Sequence, residues 1–92
     1  MEKTQAHVIF RGRVQGVNFR AFAARAAGSL GLDGWVRNLH DGSVEAVFEG
    51  AKETVREAIR QCRTGPSFAD VTDMEVEWRP AQGGFDGFSI RF

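Results

Sequence analysis

The apolar residues of this 92-residue chain change their spacing in one succession: every second position, a helical spacing, every second position twice, a helical spacing again, and every second position. Alternation marks a strand with one buried face, and recurrence at three and four marks one face of a helix. Ala6, Val8 and Phe10 alternate with His7, Ile9 and Arg11, which predicts a first strand over 6–11. Phe19, Phe22, Ala23, Ala26, Ala27 and Leu30 share one helical face, with Asn18 placed to cap its start and Gly31 to end it. Gly28 inside that stripe costs roughly 1 kcal/mol relative to Ala, which predicts close packing there. Trp35–His40 and Ser43–Glu49 read as two strands around Asp41-Gly42, a short hairpin signal. A strict two-residue turn pairs Leu39 with Val44 and Asn38 with Glu45, and a bulge shifts that register.

Ala51, Val55, Ala58, Ile59 and Cys62 form a second helical stripe, opposite a face of Glu53, Arg56, Glu57, Arg60 and Arg63, and Gly65-Pro66 ends it. Thr72, Met74, Val76 and Trp78 alternate with Asp73, Glu75 and Glu77 in a fourth strand whose acidic face suits a sheet edge. Gln82-Gly83-Gly84 reads as a turn, and Phe88, Ile90 and Phe92 as a short closing strand. The order predicts an α+β, ferredoxin-like split β-α-β sandwich, βαββαβ plus a short C-terminal strand, with two helices on one face of an antiparallel sheet. Right-handed crossovers make strands 1 and 3 central, and the closing strand is placed beside strand 2. One domain spanning 1–92 is expected, with residues 1–5 frayed.

Between the first strand and the first helix lies Arg11–Arg20, with two glycines, three arginines, the amides of Gln15 and Asn18, and no acid. Read as a loop entering a helix, it presents free N–H groups at the positive end of the helix dipole, which is an anion site. Gly12 and Gly16 are placed where positive φ and close approach to a ligand are needed. Arg20, just inside the helix, adds a planar fork suited to two phosphate oxygens. No Gly-Lys-Ser/Thr follows, so this is not a Walker A loop.

Composition narrows what the anion can be. Twelve basic and twelve acidic residues cancel, which disfavours nucleic acid or a membrane surface as partner. No apolar run is long enough to span a bilayer or form a signal-peptide core, and a soluble cytoplasmic protein is the default. The one cysteine, Cys62, completes a core stripe. His7 and His40 are far apart and no carboxylate cluster is visible, so no metal is expected. No element shows a spare apolar face, and a monomer is expected.

Gly12-Arg13-Val14-Gln15-Gly16-Val17-Asn18-Phe19-Arg20 resembles the first signature of the acylphosphatases. Gly34-Trp35-Val36-Arg37-Asn38, followed by Asp41-Gly42-Ser43-Val44, resembles the second, and Phe88–Phe92 is similar to the family's last strand. The resemblance runs from His7 onward. It implies hydrolysis of small acyl phosphates to carboxylate and inorganic phosphate, without metal, cofactor or phosphoenzyme. Its phosphate-binding arginine falls on Arg20 and its water-positioning asparagine on Asn38, both catalytic. The backbone of Gln15, Gly16, Val17, Asn18, Phe19 and Arg20 would cradle the phosphate. Two other readings stay open. A non-catalytic phosphate- or carbamoyl-phosphate-binding domain would use the same loop. An RNA-binding module of the same element order needs stacking aromatics, and strand 3 offers a poor platform for them.

Overall fold

The computed structural model describes residues 2–92. The chain runs β1 (Lys3–Arg13), α1 (Phe19–Ser29), β2 (Asp33–Asn38), β3 (Val44–Ala51), α2 (Lys52–Thr64), β4 (Asp70–Pro80) and β5 (Phe88–Arg91). The sheet order is β4-β1-β3-β2-β5, so β1 and β3 are central and β5 lies beside β2. Both helices pack on one face of the sheet. Three neighbouring pairs are antiparallel, but β5 runs parallel to β2, so the sheet is mixed rather than wholly antiparallel. The connection from β4 crosses from one sheet edge to the other, and that crossing sets the direction in which β5 arrives.

Ala6, Val8 and Phe10 of β1 and Val44, Ala46 and Phe48 of β3 are fully buried, as their alternation demands. Ala23 and Ala27 of α1 and Val55, Ala58, Ile59 and Cys62 of α2 close over them. Small residues on α1 let it lie close to the sheet. Its end is a Schellman motif, with Gly31 N–H donating to the Gly28 carbonyl and Leu32 N–H to that of Ala27. Gly28 itself is not tightly packed: a Cβ there would meet nothing within 4 Å. On α2 the pairs Glu53–Arg56 and Glu57–Arg60 form on the solvent side.

Two local expectations change. Lys3, Thr4 and Gln5 are not frayed; all three pair with β3, and Thr4 and Gln5 also pair with β4. β1 also runs on through Gly12 and Arg13, which pair with Val71 and Asp70 after a register shift between Arg11 and Gly12. Gly12 has φ +117°, and a Cβ there would sit 2.1 Å from the Asp70 carbonyl oxygen. The glycine serves a bulge that lets the strand continue, and the loop proper begins at Val14.

The segment 81–87 carries the chain from β4 to β5, and Glu49 of β3 holds it. The Glu49 side chain accepts backbone N–H bonds from Gln82 at 2.8 Å and Gly83 at 2.9 Å, and one from the Gln5 amide at 3.1 Å. Glu49 is 4% exposed. Burial pushes its carboxyl up, but the donors from Gln82, Gly83 and Gln5 outweigh burial and hold it below the usual carboxylate range. A group lowered in this way stabilises the fold above its unfolded pKa, and the contribution is lost as pH falls through the folded value. Glu49→Gln turns an amide toward these donors and leaves at least one unpaired. The expected loss is about 1–3 kcal/mol in urea denaturation at pH 7, with the gap to wild type narrowing in acid. Equal stability at pH 7 would contradict this role.

Candidate active site

Residues 14–18 are held at both ends by the core. Val14 and Phe19 are each 1% exposed. The Phe19 ring packs tilted on Phe10, with centroids 5.1 Å apart. Between these anchors the backbone turns through Gly16 at φ +74° and Asn18 at φ +69°. Asn is among the few side chains that adopt the left-handed region readily. Asn18 occupies the N-cap position of α1, but its side chain makes no capping bond. Its carbonyl accepts the Phe22 N–H at 3.1 Å. The side-chain cap anticipated from sequence is replaced by a backbone twist.

That twist has a consequence. Among the described residues, no backbone N–H from Gln15 to Ala21 donates to another protein atom. The first turn of α1 also contains no acidic side chain. Free N–H groups therefore gather at the positive end of an 11-residue helix.

The second strand pair brings Asn38 to this place. Asn38 ends β2 opposite Val44, and Arg37 pairs with Glu45. The pairing is thus displaced from that of a strict two-residue turn. Residues 39–43 form a wider connection, with Leu39 N–H donating to the Ser43 carbonyl and Gly42 N–H to that of Leu39. Asp41 accepts the Ser43 hydroxyl and, at 2.9 Å, the Ser43 N–H. Those bonds, the hydroxyl first, hold its carboxyl below the usual range. Asp41 is committed to the turn. The Gln15 amide donates to the carbonyls of Leu39 at 2.7 Å and Ser43 at 2.8 Å, tying the loop to the connection that follows Asn38.

A cleft of about 230 Å³ opens where these segments meet. Of the residues singled out from sequence, Gly16, Asn18, Phe19, Arg20 and Asn38 line it. Gln15 and Val17 do not, and the Gln15 side chain is a brace rather than a wall. Val14, Ala21, Ile90 and Phe92 also line the cleft and were not singled out. The alternation of Phe88, Ile90 and Phe92 was the available signal for the last two.

Arg20 has no carboxylate partner among the described residues. It donates a long bond, 3.4 Å, to the Arg91 carbonyl, and its guanidinium lies 4.7 Å from the Phe92 ring centroid. Asn38 Oδ1 is the one buried side-chain polar atom without a hydrogen-bond partner among the described residues. Such an orphan costs about 1–3 kcal/mol unless a donor arrives from outside the chain. The cleft thus joins an unpaired cation, unpaired backbone donors and an unpaired acceptor.

Other reactive groups are elsewhere. His7 bonds Glu45 at 2.6 Å on the open sheet face, and His40 is exposed. Cys62 is fully buried, and burial pushes its thiol up to about 12, so it carries no thiolate at neutral pH. Among the described residues, no group of three or more His, Cys, Asp or Glu could hold a metal ion, and no helix is long and apolar enough to cross a membrane.

The molecule is a ferredoxin-like sandwich with a cleft suited to an anion at one corner of its sheet, and known proteins of that description give a closer placement. Residues 6–90 match the family model described as Acylphosphatase. An acylphosphatase of Roseiflexus sp. (strain RS-1) is 51% identical over 98% of this chain and 97% of its own. One from Pelotomaculum thermopropionicum is 47% identical over the whole of both. The crystal structure of acylphosphatase from Bacillus subtilis superposes with a TM-score of 0.93 at 37% identity, covering 97% of this chain and 99% of that one. The chain belongs to the acylphosphatase family of enzymes.

Proposed function

We propose that this protein hydrolyses the carboxyl–phosphate bond of small acyl phosphates, using Arg20, the 15–20 backbone and Asn38 and no metal. The observation that carries the reading is one cleft holding both an arginine without a carboxylate partner and a buried amide oxygen without a donor among the described residues. The phosphoryl oxygens meet the free N–H groups and the Arg20 fork. Asn38 Oδ1 accepts a hydrogen bond from water and aims it at phosphorus.

The chemistry asks little more. The bond from water oxygen to phosphorus forms as the bond from phosphorus to the acyl oxygen breaks, and the electron pair leaves on the carboxylate. The conjugate acid of that leaving group has a pKa of roughly 4 to 5, so a general acid adds little. A loose phosphoryl-transfer transition state is served mainly by positioning and by charge stabilisation. The water's proton passes to an oxygen of the substrate's own phosphate, since Asp41 is held in its turn and His7 lies on the opposite sheet face. The products are the carboxylate and inorganic phosphate. The protein acts as a monomer in the cytoplasm on this reading.

Benzoyl phosphate hydrolysis with EDTA present tests the proposal, and turnover is expected to persist at the EDTA-free rate. Phosphate binding at the loop without turnover would instead favour a sensing domain.

A further inference from the structure

The cleft has two unlike sides. One is the polar side made by the 16–20 backbone, Arg20 and Asn38. The other is supplied by Ile90 of β5 and by Phe92, the residue just after that strand. We propose that Ile90 and Phe92 form the surface on which the acyl group lies, so that this enzyme favours acyl phosphates with an uncharged, apolar acyl group. The inference rests on the hydrolase reading given above.

Phe92 is the clearest part of the case. Phe88, four residues earlier on β5, stacks on Phe48 at 5.4 Å and joins the edge of the core. Phe92 is 101% exposed, although it lines the cleft. A large apolar side chain left in water gains burial when a ligand covers it. The Arg20 guanidinium sits over its ring, so the ring lies next to where the phosphate would be held. An acyl group one bond from that phosphate reaches the ring without leaving the cleft.

Charge points the same way. Arg20 is the one charged side chain in the lining. The neighbouring cation, Arg91, stacks on Trp35 at 4.5 Å, on the opposite face of the sheet, and shows Arg20 only its carbonyl. A second anionic group on the substrate would therefore rest on Ile90 and Phe92 with no partner, which is unfavourable. An aromatic or alkyl group there loses nothing and gains contact.

The test is kcat and KM for benzoyl phosphate and acetyl phosphate with wild type, Phe92→Ala and Phe92→Leu, together with inhibition by inorganic phosphate. Comparing the two substrates within each protein cancels their intrinsic reactivity. The benzoyl-to-acetyl ratio of kcat/KM should fall about fivefold in Phe92→Ala, mainly through the KM for benzoyl phosphate, with Leu between. An unchanged ratio overturns the inference. So does an equal fall for both substrates with weaker phosphate inhibition, because Phe92 would then only steady Arg20. Wild type inert toward both substrates would remove the hydrolase reading, and this inference with it.

Discussion

Arg20→Lys is expected to lower kcat/KM for benzoyl phosphate by about 100-fold or more, the scale of losing a transition-state donor. The substitution keeps the positive charge and removes the planar fork that can grip two phosphoryl oxygens at once. The loss should appear in kcat as well as KM, because charge on those oxygens is redistributed as the bond to the acyl oxygen breaks. Stability should hold. A cation in the first turn of α1 faces the positive end of the helix dipole, and Arg20 has no ion pair to lose among the described residues. Its contacts are a long bond to the Arg91 carbonyl and the Phe92 ring. Thermal unfolding within a few degrees of wild type, beside the large loss of rate, is the expected pair of results. A lysine variant as fast as wild type would mean that charge alone suffices.

Asn38→Ala should separate turnover from binding. Under the proposed mechanism it removes the acceptor that aims the water, so kcat falls by about 100-fold, as when one positioned transition-state group is deleted. Inorganic phosphate should still bind, with its inhibition constant changed less than about threefold, since the cradle and Arg20 are intact. The variant should also be no less stable than wild type. Neither amide atom of Asn38 bonds to the chain among the described residues, and Oδ1 is buried without a partner. Truncation therefore breaks no hydrogen bond within the chain among the described residues. An inactive variant that denatures at equal or higher urea, and still binds phosphate, is a signature that a merely structural Asn38 would not produce. A destabilised variant that has lost phosphate binding would contradict the assignment.

The fold was legible because each stretch had one dominant period. The stripes on α1 and α2 and the alternation on β1 and β3 each point to one buried face, and right-handed crossovers make strands 1 and 3 central, without fixing the edge that the closing strand takes. What escaped depended on partners far along the chain. Gly12 looked like a loop residue because its positive φ is local information, whereas its pairing with Val71 of β4 is not. Asp41-Gly42 signalled a tight hairpin, but the Gln15 amide and the Ser43 bonds support a wider connection that sets Asn38 opposite Val44. Lys3–Gln5 looked like a polar tail, yet their backbone completes the ladders of two neighbours. Glu49 was read only as the end of a strand, and its burial follows from the distant 81–87 segment folding onto it.

The candidate site divides in the same manner. Arg20 and Asn38 stood out because both lie inside ordered signatures. Ile90 and Phe92 did not, because their place in the cleft depends on β5 running parallel to β2. The role of the loop also became narrower. A glycine-rich anion nest explains the free N–H groups, but the brace from Gln15 links that nest to the strand end carrying Asn38. The free donors of the loop and Asn38 are thereby held in one unit.

In the proposed mechanism phosphorus, not the acyl carbon, is the centre attacked, with water aimed by Asn38 at a phosphoryl group held by Arg20. Hydrolysis of benzoyl phosphate in ¹⁸O-labelled water with EDTA present tests it most directly. Mass spectrometry of the products is predicted to find the label in inorganic phosphate and none in benzoate. Label in benzoate would place the attack at the acyl carbon and contradict the account.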